Sequence, residues 1–349
     1  MQFIACTLIG LENIAISEIK EILNIESKTL TLSRVEFEEE LNNIPKLIYN
    51  IRSASKIYQK IAHFKFKNKN EILNQMIPKL KPPFVVRCQR KGTHDFSSLD
   101  IEKELGEKIF ESQKAKVDLK NPKTTIIVDI LNDECIIGID LTGISLTKRD
   151  YRLRVHSQAV NPLIAFAMAK ISDPKGVILD PFCLSGEIAI ETSLYLRNIS
   201  PNKHNKNNFL INKLIKASYK DDENKTIPKI YASDPIEPNT RATELNARIV
   251  SQKLILSRVS IEDLDLKYKN IDTIITYVPK PTEQIFSQFH KITSPNAIVT
   301  ILSLEPRQNA KGFKLKEELK IQAQNKTYCM QKWTKEKNET RRNNASRKD

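Results

Sequence analysis

Glycine is scarce in this chain: its 349 residues include 8, where average usage of ~7% would supply about 24. Each glycine is therefore expected to mark a backbone requirement. The five cysteines (Cys6, Cys88, Cys135, Cys183, Cys329) form no C-x-x-C pair, and the five histidines give no H-x-x-x-H spacing. That pattern speaks against a bound zinc and against a disulfide framework. No apolar run approaches ~18 residues, so no membrane-spanning helix is expected. The opening "MQFIACTLIGLENIA" lacks a basic region before its short apolar segment and reads as a first strand, not a signal. The expectation is a reduced, cytoplasmic protein without a metal and without a membrane partner.

Positive charge is present in excess. Lys and Arg number 56 against 42 acidic residues, a net charge of +14, so the surface is expected to attract polyanions, with nucleic acid first among them. Hydrophobic residues at 40% and charged residues at 28% are ordinary for a globular chain. The length accommodates two domains, each with its own core.

Residues 1 to about 80 alternate strand-like runs with helical patterns, an α+β pattern without catalytic clustering. "KPPFVVRCQRKGTHDFSSLDIEKELGEKIFES" then predicts a strand from Phe84, a turn at Lys91 and Gly92, and a helix started by Ser97 with Asp100 three residues on, a capping-box spacing. "TTIIVDIL" and "CIIGIDL" read as a hairpin turned by Asn132, Asp133 and Glu134. "SLTKRDYRLRVHSQAVNP" has the look of a basic linker. From Pro162 onward helix and strand alternate, with strands at 176–180, 229–233, 255–260, 271–276 and 297–303 and two closing strands after them. Such alternation implies a parallel sheet with helices on both faces. Residues 199–229 hold seven Lys against three acids, and 334–349 hold six Lys or Arg against three. Each reads either as solvated, disordered chain or as a flexible RNA-contacting arm.

Two stretches carry a resemblance. "FVVRCQRKGTHDFSSLDIEKELGEKI" together with "GIDLTGISLTKRDYR" resembles the THUMP domain of RNA-modifying enzymes, with its R-x-G-x-H-x-F-S-S core and closing G-x-x-L-x-K-R-x-Y-R. The chain from residue 156 resembles the S-adenosylmethionine-dependent methyltransferase domain fused to THUMP in tRNA and ribosomal RNA guanine methylases. The resemblance implies an α/β protein: a ferredoxin-like plus THUMP RNA-binding region over 1–150, a Rossmann-like methyltransferase domain over 151–333 with a basic insertion at 199–229, and a basic tail at 334–349. It also implies that the first domain docks the acceptor end of a transfer RNA. Arg87, Arg90, Lys91, Lys148, Arg149 and Arg152 are the candidate RNA contacts, since positive groups beside a turn or sheet edge bind phosphates.

The candidate cofactor residues follow from what a nucleoside-bearing cofactor needs: backbone amides near its methionine part, an acid for the ribose hydroxyls and an apolar slot for adenine. Asp180, Pro181, Phe182, Ser185 and Gly186 form the loop after the first strand of the second domain. Asp234 closes the next strand, where the family has its ribose-binding acid; Asn161 matches the helix that precedes the first strand. Four places depart from the family. Leu184 and Glu187 replace a glycine and a threonine of D-P-[FM]-C-G-[ST]-G-T. Ser260, or Asp263, stands for the adenine-binding Asp. Tyr277, Val278, Pro279 and Lys280 replace N-P-P-Y or D-P-P-Y. In that motif a carboxamide or carboxylate and a proline carbonyl accept the hydrogens of a guanine amine while the aromatic ring stacks on the base. Tyr277 and Pro279 are the candidate catalytic residues that remain. Two functions follow: an RNA methyltransferase acting on an exocyclic amine of guanine in tRNA, or a non-catalytic RNA-binding protein, working as a platform or beside an active subunit. A DNA amino-methyltransferase is disfavoured by the THUMP match.

Overall fold

The computed structural model describes residues 1–336. Two compact units form, one from Met1–Arg149 and Ser200–Asp221, the other from Asp150–Ile199 and the described residues 222–336. Among the described residues no helix is long and apolar enough to cross a membrane.

The first unit holds β1 (Gln2–Cys6), α1 (Glu12–Leu23), β2 (Ser27–Thr31), β3 (Arg34–Glu38), α2 (Ile44–Asn50), β4 (Lys56–Lys65), α3 (Lys69–Leu73), β5 (Phe84–Lys91), α4 (Ser98–Gln113), β6 (Thr124–Leu131) and β7 (Glu134–Asp140). Its seven strands make one sheet in the order β2-β3-β1-β4-β7-β6-β5, antiparallel except for the β5–β6 pair, which α4 connects. Strand β6 is an almost unbroken apolar run because both faces are covered. Ile126, Val128 and Ile130 pack with Ile101, Leu105 and Ile109 of α4, while Ile127 packs on Ile4, Tyr58 and Ile136. The α4 start carries both bonds of the expected capping box, Asp100 N to Ser97 Oγ and Ser97 N to an Asp100 oxygen. Asn132, at φ 54, turns the β6–β7 hairpin.

The insertion departs from expectation. Residues 200–221 are neither solvated chain nor an arm; they belong to the first unit, not to the second domain. Phe209 and Ile211, 1% and 0% exposed, join the core of Ile44, Leu47 and Ile48. Asn202 Nδ2 donates to the Ile48 carbonyl at 3.0 Å, and Tyr49 Oη donates to Asp221 at 2.6 Å. Composition misled here: lysines and asparagines dominate the segment, but Phe209 and Ile211, with Leu214, Ile215 and Tyr219 packed beside them, fix it on the first core.

The second unit holds α5 (Pro162–Ser172), β8 (Ile178–Asp180), α6 (Glu187–Leu196), β9 (Ile230–Asp234), α7 (Glu237–Ile249), β10 (Ile255–Arg258), α8 (Leu264–Lys267), β11 (Ile271–Tyr277), α9 (Glu283–Ile292), β12 (Thr293–Ser303), β13 (Phe313–Ala323) and β14 (Lys326–Lys335). The sheet runs β10-β9-β8-β11-β12-β14-β13. Its first five strands are parallel and the last two close it antiparallel. Strand order reverses at β8 and β11, so the loops after these strands lie at the switch point where open α/β sheets bind ligands. Thr334 and Lys335 complete β14; the rest of the expected tail, from 337, lies outside the described residues.

Candidate cofactor loop and RNA-facing turn

Asp180 ends β8 and sits at the switch point. Its Oδ1 accepts from Thr276 Oγ1 of β11 at 2.8 Å and from Phe182 N at 3.3 Å, while Oδ2 is buried without a partner. Burial pushes this carboxyl up to about 7; the two bonds oppose the rise, and the charges of Asp234 and Glu187 add to it. The chain then turns through Leu184 at φ 49 and Gly186 at φ 91. A left-handed leucine costs roughly 1 kcal/mol. The turn is held against that cost by Leu184 N donating to Asp234 Oδ2 at 3.1 Å and Gly186 N to the Cys183 carbonyl at 2.6 Å. A Cβ on Gly186 would lie 2.7 Å from Thr243 Cγ2, so this glycine lets α7 pack closely.

Apart from Asp180 Oδ2, the motif side chains of the loop are engaged within the protein. Ser185 Oγ donates to Glu187, 2.8 Å from its Oε2, and accepts from His156 N at 3.0 Å. Arg152 Nε donates to Glu187 Oε1 at 3.3 Å. The Glu187 carboxyl is raised by burial, against the pull of Ser185 and Arg152. Asp234, 2% exposed, accepts Ile236 N and Asn239 Nδ2 on Oδ1, both at 3.0 Å, besides Leu184 N on Oδ2. Three of its roughly four lone-pair sites are taken. Asn161 caps α5, accepting Leu163 N at 2.9 Å. Pro181 is buried and Phe182 half-buried, packed on the core under β11. Beyond Asp234, at the ends of β9 and β10, lies a cavity of about 460 Å³ lined by Pro235, Arg258, Val259, Ser260, Asp263 and neighbouring residues of α8. Ser260 Oγ donates to Asp263 at 2.8 Å, which leaves Asp263 as the carboxylate of that cavity. Arg258 carried no motif and was invisible in the sequence as a lining residue.

The corner after β11 is closed. Tyr277 is 5% exposed and its ring packs against Tyr328 at 6.2 Å. Val278 belongs to the core. The Pro279 carbonyl accepts Leu304 N at 3.0 Å and Glu305 N at 3.1 Å, and Lys280 Nζ pairs with Glu305 at 2.9 Å on the surface. Tyr277 and Pro279, expected to handle a guanine amine, are thus engaged in holding β11 to its neighbours.

In the first unit the R-x-G-x-H turn is organised differently. Arg90 Nη1 lies 3.0 Å from His94 Nδ1, and His94 Nε2 lies 2.7 Å from the Asn132 carbonyl. The carbonyl can only accept, so Nε2 carries the proton and Nδ1 accepts from Arg90. His94 stacks on Phe66 at 5.7 Å, and the Arg90 guanidinium lies 5.9 Å from the Phe96 ring centre. Gly92, at φ 117, is required: a Cβ would come within 3.1 Å of Asn132 and His94. A cavity of about 330 Å³ opens beside this cluster, lined by Phe66, Lys67, Thr93, His94, Asn132 and Asp133. Arg90 and Lys91 are exposed, and Arg87, half-exposed, contacts Glu102 at 3.2 Å. Lys148 is also exposed. Two expected RNA contacts are corrected. Arg149 is 4% exposed, its Nη2 donating to the Arg52 carbonyl at 3.0 Å, because the fold needs a buried donor there. Arg152 is committed to Glu187.

Comparison with known proteins agrees with both units. Residues 59–140 match the THUMP domain model and residues 149–280 the model of an RMKL-like methyltransferase domain. The tRNA (guanine(6)-N2)-methyltransferase of Methanocaldococcus jannaschii is 31% identical over 269 residues, 68% of this chain and 70% of that protein. This chain belongs to the THUMP-domain RNA methyltransferase family. A second relative of the same name, from Archaeoglobus fulgidus, is 28% identical over 67% of this chain and 62% of its own length. The fold is shared with TrmN from Thermus thermophilus, at a TM-score of 0.72 over 96% of this chain and 99% of that one, with 21% identity.

The family is S-adenosylmethionine-dependent, so the fit of that group to these residues is the central chemical question. The nucleoside end fits: the cavity beyond Asp234 is large enough and carries the Asp263 carboxylate. The methionine end does not. Glu187 stands where a small hydroxyl belongs, buried with Arg152, and Ser185 Oγ is bonded to Glu187 and His156, so neither side chain offers a donor to the cofactor's carboxylate. The residues present therefore do not fit the whole group.

Proposed function

We propose that this chain is an RNA-binding member of the family, with the acceptor region of tRNA as its ligand class, whose first unit holds the RNA and whose methyltransferase unit does not itself methylate a guanine amine. The corner at 277–280 carries this reading. Methylating an exocyclic amine needs acceptors for its two hydrogens and a ring on the base. Here Pro279 gives its carbonyl to Leu304 and Glu305, Val278 is core, and Lys280 faces Glu305. RNA binding is supported by the net charge of +14 and by the exposed Arg90 and Lys91 beside the ordered His94 turn. The cytoplasm is the proposed location, and an active partner subunit is the proposed source of any methylation the complex performs.

A second reading, methylation of guanine in tRNA as the names of the relatives state, is favoured by one observation. Asp180 Oδ2, at the end of β8, is buried without a partner, and a cationic group of a ligand would satisfy it. Calorimetric titration of the folded protein with S-adenosylmethionine and S-adenosylhomocysteine separates the readings. No heat of binding at ~100 μM ligand is expected, a concentration that corresponds to about −5.5 kcal/mol. Micromolar binding together with transfer of a labelled methyl group to tRNA would establish the second reading instead.

A further inference from the structure

The segment joining α4 to β6, "KAKVDLKNPK" at 114–123, has no part in the site described above. Lys114, Lys116, Lys120 and Lys123 are all exposed, and the ion pairs of the described residues use none of these four side chains. The single acid, Asp118, accepts the backbone N–H of Lys120 and of Asn121, each at 2.9 Å, so it closes the turn.

A lysine run of this kind is ordinarily solvated chain, yet its backbone is fixed throughout. Phe84 N donates to the Lys116 carbonyl at 2.9 Å, Asp118 N to the Phe84 carbonyl at 3.0 Å, and Lys123 N to the Pro83 carbonyl at 2.7 Å. Arg87 Nη2 holds the Leu119 carbonyl at 3.2 Å. Lys213, from the insertion, reaches Asn121 Oδ1 at 2.9 Å and the Pro122 carbonyl at 2.7 Å. Rigid backbone with free cationic side chains is what lowers the ordering cost of binding a polyanion. The loop lies at the Phe84 end of β5, and the His94 turn follows its Lys91 end. Seven steps of strand separate them, about 23 Å at ~3.3 Å per residue.

We propose that the 114–123 loop, clamped by Lys213, is a second phosphate-contacting surface of the first unit, and that together with the Arg90–Lys91 turn it takes a helical RNA stem. A ligand that touches both ends of β5 must span about 23 Å, which an RNA helix does and a single nucleotide does not. This rests on the reading of the chain as an RNA binder, and the test separates the two. Affinity of the full chain for a tRNA transcript is measured from ~50 to ~200 mM salt for the parent, for K116Q/K120Q/K123Q and for R90Q/K91Q. Three lost phosphate contacts make the log–log salt slope shallower by about 2.7 and weaken binding about tenfold or more at ~100 mM salt. R90Q/K91Q loses about 1.8 of slope on the same basis. A parent that binds steeply and a loop variant with unchanged slope, its melting temperature intact, overturns the second surface alone. A parent without salt-dependent RNA binding overturns the RNA reading as well.

Discussion

The two units treat their motif polar groups in opposite ways. In the first, the turn after β5 uses bonds among Arg90, His94 and Asn132 to set a backbone path and leaves Arg90 and Lys91 in solvent. In the second, the loop after β8 bonds Ser185, Glu187 and Arg152 to one another and fills Asp234 with Leu184 N, Ile236 N and Asn239, while Asp180 bonds Thr276; the four motif residues are 2% exposed or less. Preorganised groups facing outward are suited to a ligand. Groups satisfied internally stabilise their own loop and have little left to offer. The same family pattern has thus been kept as a surface in one unit and absorbed as structure in the other.

The largest test of this contrast concerns which unit owns the insertion. Phe209→Ala, at a side chain 1% exposed in the first unit's core, is expected to cost about 3 kcal/mol in chemical denaturation; a solvated arm would give no change. Next comes Asp180. Its pKa in the fold, about 7, exceeds the ordinary 3.8, so the folded state holds the proton longer than the unfolded one. Stability from this group is present below about pH 4 and falls as pH rises through 4 to 7. Asp180→Asn should flatten that fall and, after allowing for an unpaired amide N–H, gain about 2 kcal/mol at pH 8. A loss at pH 8 would mean that the carboxylate is held for a cation, and the contrast between the units would weaken. The smallest effect is expected at Gly92. Alanine at φ 117 should cost about 1 kcal/mol and, by displacing His94, weaken tRNA binding severalfold, as a filter-binding titration would read.

Much of this was legible in the chain. Alternation of apolar runs placed β8 to β12 within a few residues, the capping box at Ser97 is where its spacing put it, and the motif order identified both units. Leu184, Val278 and Lys280 are departures that the family pattern exposes in the sequence itself. The fate of charge was not legible. Arg149 and Arg152 sit in a run that reads as an exposed basic linker, but one is buried on backbone carbonyls and the other neutralises Glu187. The 114–123 lysines carry no signal in the sequence, since a charge run does not show whether its backbone is pinned.

The sequence by itself determined the class of the protein, because hydrophobic periodicity and turn residues are local and survive changes at the site. It also determined that the reacting corner differs from the family. Only the tertiary structure decided what those differences do, for the physical reason that burial and pairing are set by residues far apart in the chain. Asp234 is occupied because Leu184, fifty residues away, donates to it. Pro279 is occupied because the chain after β12 returns beside it, and the insertion joins the first unit because Phe209 finds a core built from residues 44 to 48.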